Sequence, residues 1–327
     1  MSGATFDILF ASAVAILLAI DLLANRKAHR ISLKEAALWT SVWVGCALLF
    51  GLFLLPLHPD FVPGERLEYF TAWLIEWALS VDNLLLFVVI FESLAVPKEA
   101  HHRVLFYGVL GAIVMRTVFI VAGLELIRHF EWMLFLFGAF LLFAAFRTWS
   151  QRSAEPDIAH SPLLRLLRRL LPVTHDYHGA RFTVREGGRL MVTPLLVAVV
   201  LMELTDLLFA VDSIPAVFAI TRSELVALTS NILAILGLRS LYFLLSHGLD
   251  RIRFLREGLS AVLLFVGVKL VTEPLEGVWH PSPAGSLAVV GSILGVTLLA
   301  SLWADRRHGP KERRAPDGAM AREDDSA

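Results

Sequence analysis

The chain has 327 residues, 57% of them hydrophobic and only 18% charged, with a formal net charge of −1. The charges sit in clusters between apolar runs too long for a soluble core, which excludes a water-soluble globular protein, and nothing in them supports nucleic-acid binding. A single cysteine, Cys46, lies inside an apolar run, so a disulfide framework and a thiolate metal site are both excluded.

The first apolar run, Phe6 to Ala24, follows no basic segment, and no small-residue cleavage site ends it before Arg26 and Lys27. It reads as a retained helix and not as a signal peptide. At roughly 20 apolar residues per crossing, nine spans follow. They lie near 5–24, 36–56, 69–91, 104–125, 132–149, 192–217, 225–246, 258–273 and 284–303, the eighth being short and interrupted by Lys269. The expectation is an all-α polytopic membrane protein whose residues 1–303 form one transmembrane unit. The Trp residues mostly fall near span ends, as an aromatic belt requires.

Lys and Arg divide the loops into two sets. Alternate loops, from the one between the first two spans onward, hold together with the carboxyl-terminal tail 23 of the 29 basic residues when Arg147 at the end of the fifth span is counted with them, and the other set holds only Arg66, Arg128 and Arg222. Since cytoplasmic loops collect Lys and Arg, the amino terminus is expected outside and the carboxyl terminus in the cytoplasm. The longest loop, 150–191, contains the basic amphipathic stretch LLRLLRRLL (Leu163 to Leu171), suited to the anionic inner leaflet. It is followed by HDYHGARFTVREGG, which reads as a small structured cytosolic element. His175, Asp176 and His178 resemble a metal cluster, but that spacing in a polar loop is usually accidental; His101 and His102 read as an interfacial pair. Residues 304–327 form a tail expected to be disordered.

Span 3 reads EWALSVDN, with Glu76, Asp82 and Asn83; span 6 reads ELTDLLFAVDSIPA, with Glu203, Asp206, Asp212 and Ser213. These are one segment written twice: Glu76 aligns with Asp206, Asp82 with Asp212 and Asn83 with Ser213. Arg116 and Arg239 repeat in the spans that follow, and LLFAAFR (Leu141 to Arg147) matches LLFVGVK (Leu263 to Lys269). With the expected topology, about 69–149 and 192–273 form an inverted repeat of three spans each, a common basis of alternating access.

Each ionisable residue at a helix centre costs about 2.5–3.5 kcal/mol on insertion scales, so these acids and bases must pair, face the interior or bind a ligand. The five acids outnumber Arg116, Arg239 and Lys269 by two, and a divalent cation would balance them. Carboxylates with Asn83 and Ser213 form the hard oxygen set preferred by magnesium, calcium and manganese. Glu203, nearer the cytoplasmic end, is open to solvation or ligation. Arg116, Arg239 and Lys269 read as counter-charges or gating residues. Glu76 and Asp82, six apart, point about 120° from each other on a straight helix. Either span 3 unwinds near Ser80 to Asn83 or the two acids have different tasks, and Pro215 makes a break plausible in span 6. No P-loop is present, so a secondary transporter is expected and not an enzyme.

The segments EWALSVDN, LFYGVLGAIVMRTVFIVAG, TPLLVAVVLMELTDLLFAVDSIPAVFAIT and SNILAILGLRSLYFLL resemble the bacterial TerC/Alx integral membrane family, over about residues 65 to 275. The resemblance implies a nine-helix inner-membrane protein associated with manganese export and tellurite resistance. It carries the acidic motif residues onto Asp82, Asn83, Glu203, Asp206 and Asp212. Arg147 stands where the family usually has Lys. The expectation is an exporter with no permanent cofactor and manganese or another divalent cation as substrate, with Asp82 and Asp212 as central ligands. Its partners are the lipid bilayer and, as a possibility the sequence leaves open, a second copy of the chain. The alternatives are an exporter of a small organic cation or amino acid, and a membrane assembly or stress-response factor that transports nothing.

Overall fold

The computed structural model describes residues 2–24, 32–150, 162–174, 176–179, 181–186, 188–246, 254–275 and 281–308. Its helices are α1 (Gly3–Ala24), α2 (Leu33–Leu49), α3 (Glu65–Ser93), α4 (Lys98–His129), α5 (Met133–Ser150), α6 (Pro162–Leu170), α7 (Pro194–Phe218), α8 (Glu224–Leu236), α9 (Leu238–Ser246), α10 (Leu255–Thr272) and α11 (Pro283–His308). The only sheet among the described residues is a hairpin of β1 (Thr183–Glu186) and β2 (Arg189–Val192), with Thr183 opposite Val192 and Glu186 opposite Arg189.

Local chemistry sets the boundaries. Ser32 caps α2 and Ser223 caps α8 by accepting a hydrogen bond from the amide three residues on. Pro194 and Pro283 open α7 and α11, where a missing N–H costs nothing. Between α2 and α3 the chain widens into a π-helical turn (Phe50–Leu54) and then tightens into a 3₁₀ turn (Leu55–Leu57) containing Pro56.

Among the described residues, eight segments are long and apolar enough to cross a membrane, α8 and α9 together making one of them. The eighth expected span corresponds to α10, an 18-residue helix that carries Arg256, Glu257 and Lys269 and falls outside that set. It packs closely against α5: Ser260 donates to the Ala145 carbonyl at 2.5 Å, and Leu141 lies against Gly267. Val114 and Val118 on α4, Phe143 and Phe146 on α5, and Leu298 and Leu299 on α11 are exposed. Apolar surface of that extent belongs to a protein solvated by lipid.

Neighbouring positions give the helix directions. Gly108, Gly111, Arg116 and Gly123 of α4 meet Met202, Glu203, Asp206 and Phe218 of α7 in the same order, so these two helices are parallel. On α3, Asn83 reaches Asp206, while Glu76, two turns earlier, sits with Arg116 at the level of Ser213; α3 and α7 are antiparallel. Gly138, Leu141 and Ala145 of α5 meet Val271, Gly267 and Ser260, so α5 and α10 are antiparallel too. His102 meets Arg239 at one end of α4, and Arg128 lies 3.9 Å from Glu224 at the other, which sets α4 against α8 and α9 in opposite sense. Each helix of 69–149 thus runs opposite to its counterpart in 192–273, as an inverted repeat requires.

Two expectations change and one alternative is decided. The seventh span is divided at Gly237 into α8 and α9. Neither α3 nor α7 unwinds: α3 is continuous through Ser80 to Asn83, and α7 continues through Pro215, which lies close enough to its end for the lost N–H to cost one bond near the terminus. The tail expected to be disordered from 304 is helical as far as His308, where Ala304 is buried and the Arg307 guanidinium lies 4.0 Å over the Trp303 ring. The rest of that tail lies outside the described residues.

Candidate functional site

The periodicity of α3 places Glu76, Ser80 and Asn83 on one face, and that of α7 does the same for Asp206 and Ser213. These faces meet on the two sides of Arg116 from α4. Glu76, Arg116 and Asp206 are 0%, 1% and 2% exposed, deep enough that none could remain ionised alone. The Arg116 guanidinium grips Asp206 with a fork, Nε donating to Oδ2 at 2.9 Å and Nη2 to Oδ1 at 2.8 Å. Its Nη1 pairs with the Glu76 carboxylate and donates to Ser213 Oγ at 3.3 Å. Asn83 Nδ2 adds a donor to Asp206 Oδ1 at 3.4 Å.

The arrangement is pseudo-symmetric in its acceptors and asymmetric in its base. Glu76 and Asp206 are counterparts in the two repeats, as are Asn83 and Ser213, yet a single arginine serves both carboxylates. Two carboxylates against one guanidinium leave one negative charge when all are ionised. Ser80 Oγ and Asn83 Oδ1 are buried on the same face without a hydrogen-bond partner among the described residues. They are neutral oxygens available to a ligand.

Glu203 lies one turn from Asp206 on α7, against α4 at Gly111, where a Cβ would collide with its carboxylate. Only glycine there leaves room for the acid to lie between the two helices. Its Oε1 is buried and has no hydrogen-bond partner among the described residues. Glu203 is therefore part of the same polar track, on the side of the hairpin.

Asp82 and Asp212 are turned off the Arg116 face by six-residue offsets from Glu76 and Asp206. Arg256 of α10 and Arg147 of α5 act on them electrostatically, respectively, each from the other repeat.

The other two expected counter-charges are elsewhere. The break at Gly237 leads into α9, where the Arg239 guanidinium lies 2.9 Å from His102 Nδ1. Lys269 is near the far end of α10, among Glu68 and Glu273. There Arg222 spans Glu273 with contacts of 3.0 and 3.4 Å.

Sequence reasoning missed the aromatic part of the His101–His102 pair. His101 stacks on Phe91 with ring centroids 4.3 Å apart, and its Nδ1 is 3.1 Å from the Tyr242 hydroxyl. The signal was present as Tyr242, one turn after Arg239 in the repeat counterpart of α4. His178 pairs with Glu186 at 3.0 Å, while His175 lies outside the described residues. No group of three His, Cys, Asp or Glu is gathered as a metal-ligand cluster among the described residues.

The hairpin docks on the same end of the bundle. Tyr177 donates its hydroxyl to the Leu94 carbonyl at 2.5 Å, and burial pushes that phenol above its ordinary value, keeping it a neutral donor. Phe182 packs against Tyr107 and under Arg103, 4.8 Å from the ring.

A polytopic helical membrane protein with opposed acids on a shared arginine is the class these observations define. The integral membrane protein TerC family model matches residues 62–309. An uncharacterized membrane protein of Myxococcus xanthus is 42% identical over 94% of this chain and 95% of its own length. The Escherichia coli K12 protein named putative membrane-bound redox modulator Alx is 43% identical over 91% and 94%. The chloroplastic thylakoid membrane protein TERC of Arabidopsis thaliana is 39% identical over 85% and 70%. No solved structure matches significantly. The chain belongs to the integral membrane protein TerC family.

Proposed function

We propose that this protein is a secondary transporter that exports a divalent cation, manganese in the first instance, from the cytoplasm. The observation that carries the reading is the convergence of Glu76 and Asp206, one from each repeat, on the single buried Arg116. In this reading Arg116 holds the empty site together as a tethered cation, and a metal ion takes its place between the two carboxylates. Asn83 and Ser80 supply neutral oxygens, Ser213 can follow either the guanidinium or the ion, and Glu203 receives the cation on the cytoplasmic side. The hard oxygen set suits magnesium, calcium or manganese; the preference for manganese rests on the family resemblance.

The packing supports moving the centre from Asp82 and Asp212 to Glu76 and Asp206. Asp82 and Asp212 then act at the seams between repeats, where their attraction to Arg256 and Arg147 changes as the halves rock. Proton exchange is the natural coupling, because the same carboxylates bind either cation or protons. The charge bias of the loops supports a cytoplasmic location for the hairpin and an inner-membrane placement.

The test is cellular manganese after a manganese load, with membrane levels matched. Native protein should lower it, and Glu76→Gln and Asp206→Asn should abolish the effect. Equal manganese with and without the native protein at equal expression would overturn the metal reading and favour an organic-cation exporter or an assembly factor.

A further inference from the structure

Helix α6 connects two spans and so lies at the boundary of the bilayer, but the bundle covers only part of its apolar surface. At about 100° per residue, Leu164, Leu167 and Leu171 share one side. Leu164 and Leu167 are 2% and 8% exposed and pack into the core cluster that holds Leu94, Leu195 and Leu241. Leu166 and Leu170, on the adjoining side, are 50% and 68% exposed. Arg165 and Arg169, four apart and both exposed, form the next side round.

The order around the helix is therefore protein, bare leucine, arginine. A helix turned wholly to water would not carry leucine between its packed and its charged sides. One lying in the interface, with the bundle on one flank and acyl chains on the next, requires that order. Arginines four apart are a turn away from each other along the helix and suit phosphates at the level of the headgroups.

We propose that α6 is a docking surface for anionic phospholipid, seating Leu166 and Leu170 among the acyl chains and holding headgroup phosphates with Arg165 and Arg169. Leu164 and Leu167 tie this contact to the helices around the transport path, so the composition of the surrounding leaflet is mechanically connected to the hairpin end of the bundle. The inference does not depend on which solute is transported.

The test uses the full chain carrying Cys46→Ser and Leu166→Cys, labelled with an environment-sensitive fluorophore. It is reconstituted in nanodiscs of phosphatidylcholine with or without phosphatidylglycerol. Spin-labelled phosphatidylglycerol should quench the probe at least about three-fold more than spin-labelled phosphatidylcholine at equal mole fraction. Arg165→Gln with Arg169→Gln should remove that preference while size-exclusion behaviour stays unchanged. Quenching by aqueous iodide and not by lipid would overturn the proposal and turn this face to water or a soluble partner. Energy transfer between two labelled copies, unaffected by lipid composition, would overturn it in favour of a dimer contact. Equal quenching by the two lipids would overturn the headgroup contact.

Discussion

Arg116 and Arg239 occupy equivalent places in two halves of related sequence, yet they do opposite things. Arg116 is on an unbroken helix of 32 residues and is carried to the acids of both halves. Arg239 follows a break at Gly237 and meets His102, next in sequence to the His101 that Tyr242 holds near the hairpin end. An inverted repeat that kept both arginines on the acids would balance its charges and have little use for an added cation. Diverting one of them leaves an excess of carboxylate at the centre. In the transport reading, that broken symmetry makes the site.

The largest effect should come from removing the shared base. Arg116→Ala leaves Glu76 and Asp206 buried without a counter-charge, a loss of about 3–5 kcal/mol by the behaviour of other buried pairs. Membrane yield and the apparent melting temperature should fall sharply. Arg239→Ala should cost less than half as much, since it leaves Glu76 and Asp206 with their shared base; equal losses would erase the contrast between the halves. Arg116→Lys sharpens it further, because it retains the charge without the fork on Asp206. It should reach the membrane at near-native levels and lower manganese retention at least about ten-fold less effectively than the native protein, a barrier change of roughly 1.4 kcal/mol.

A smaller effect is expected at Gly111→Ala. The new methyl must push Glu203 from its groove, so export should slow while expression holds. Glu203→Ala in the same chain should restore the native melting temperature without restoring export. The smallest should be Arg222→Gln at the opposite end, where a half-exposed pair with Glu273 contributes about 0–1 kcal/mol. A loss at Arg222 as large as at Arg116 would mean that this end, and not the centre, holds the two repeats together.

Much of this was legible in the order of residues. Hydrocarbon thickness fixes how long an apolar run must be, which is why the spans could be read; the duplicated acidic motif announced two related halves. The helical period alone excluded Glu76 and Asp82 from a common ligand set on a straight helix. Other points were not legible. Whether span 7 ran straight or broke at Gly237 depended on packing around that turn, where a side chain added to Gly237 would press on Trp43 at 3.3 Å.

The sequence by itself determined a helical membrane protein with inverted halves and a surplus of buried acids, because apolar length and motif repetition are properties of the chain. Only the tertiary structure decided that Glu76 and Asp206, rather than Asp82 and Asp212, share Arg116. A residue's direction on its helix follows from local spacing, but the neighbour it meets follows from how the helices pack.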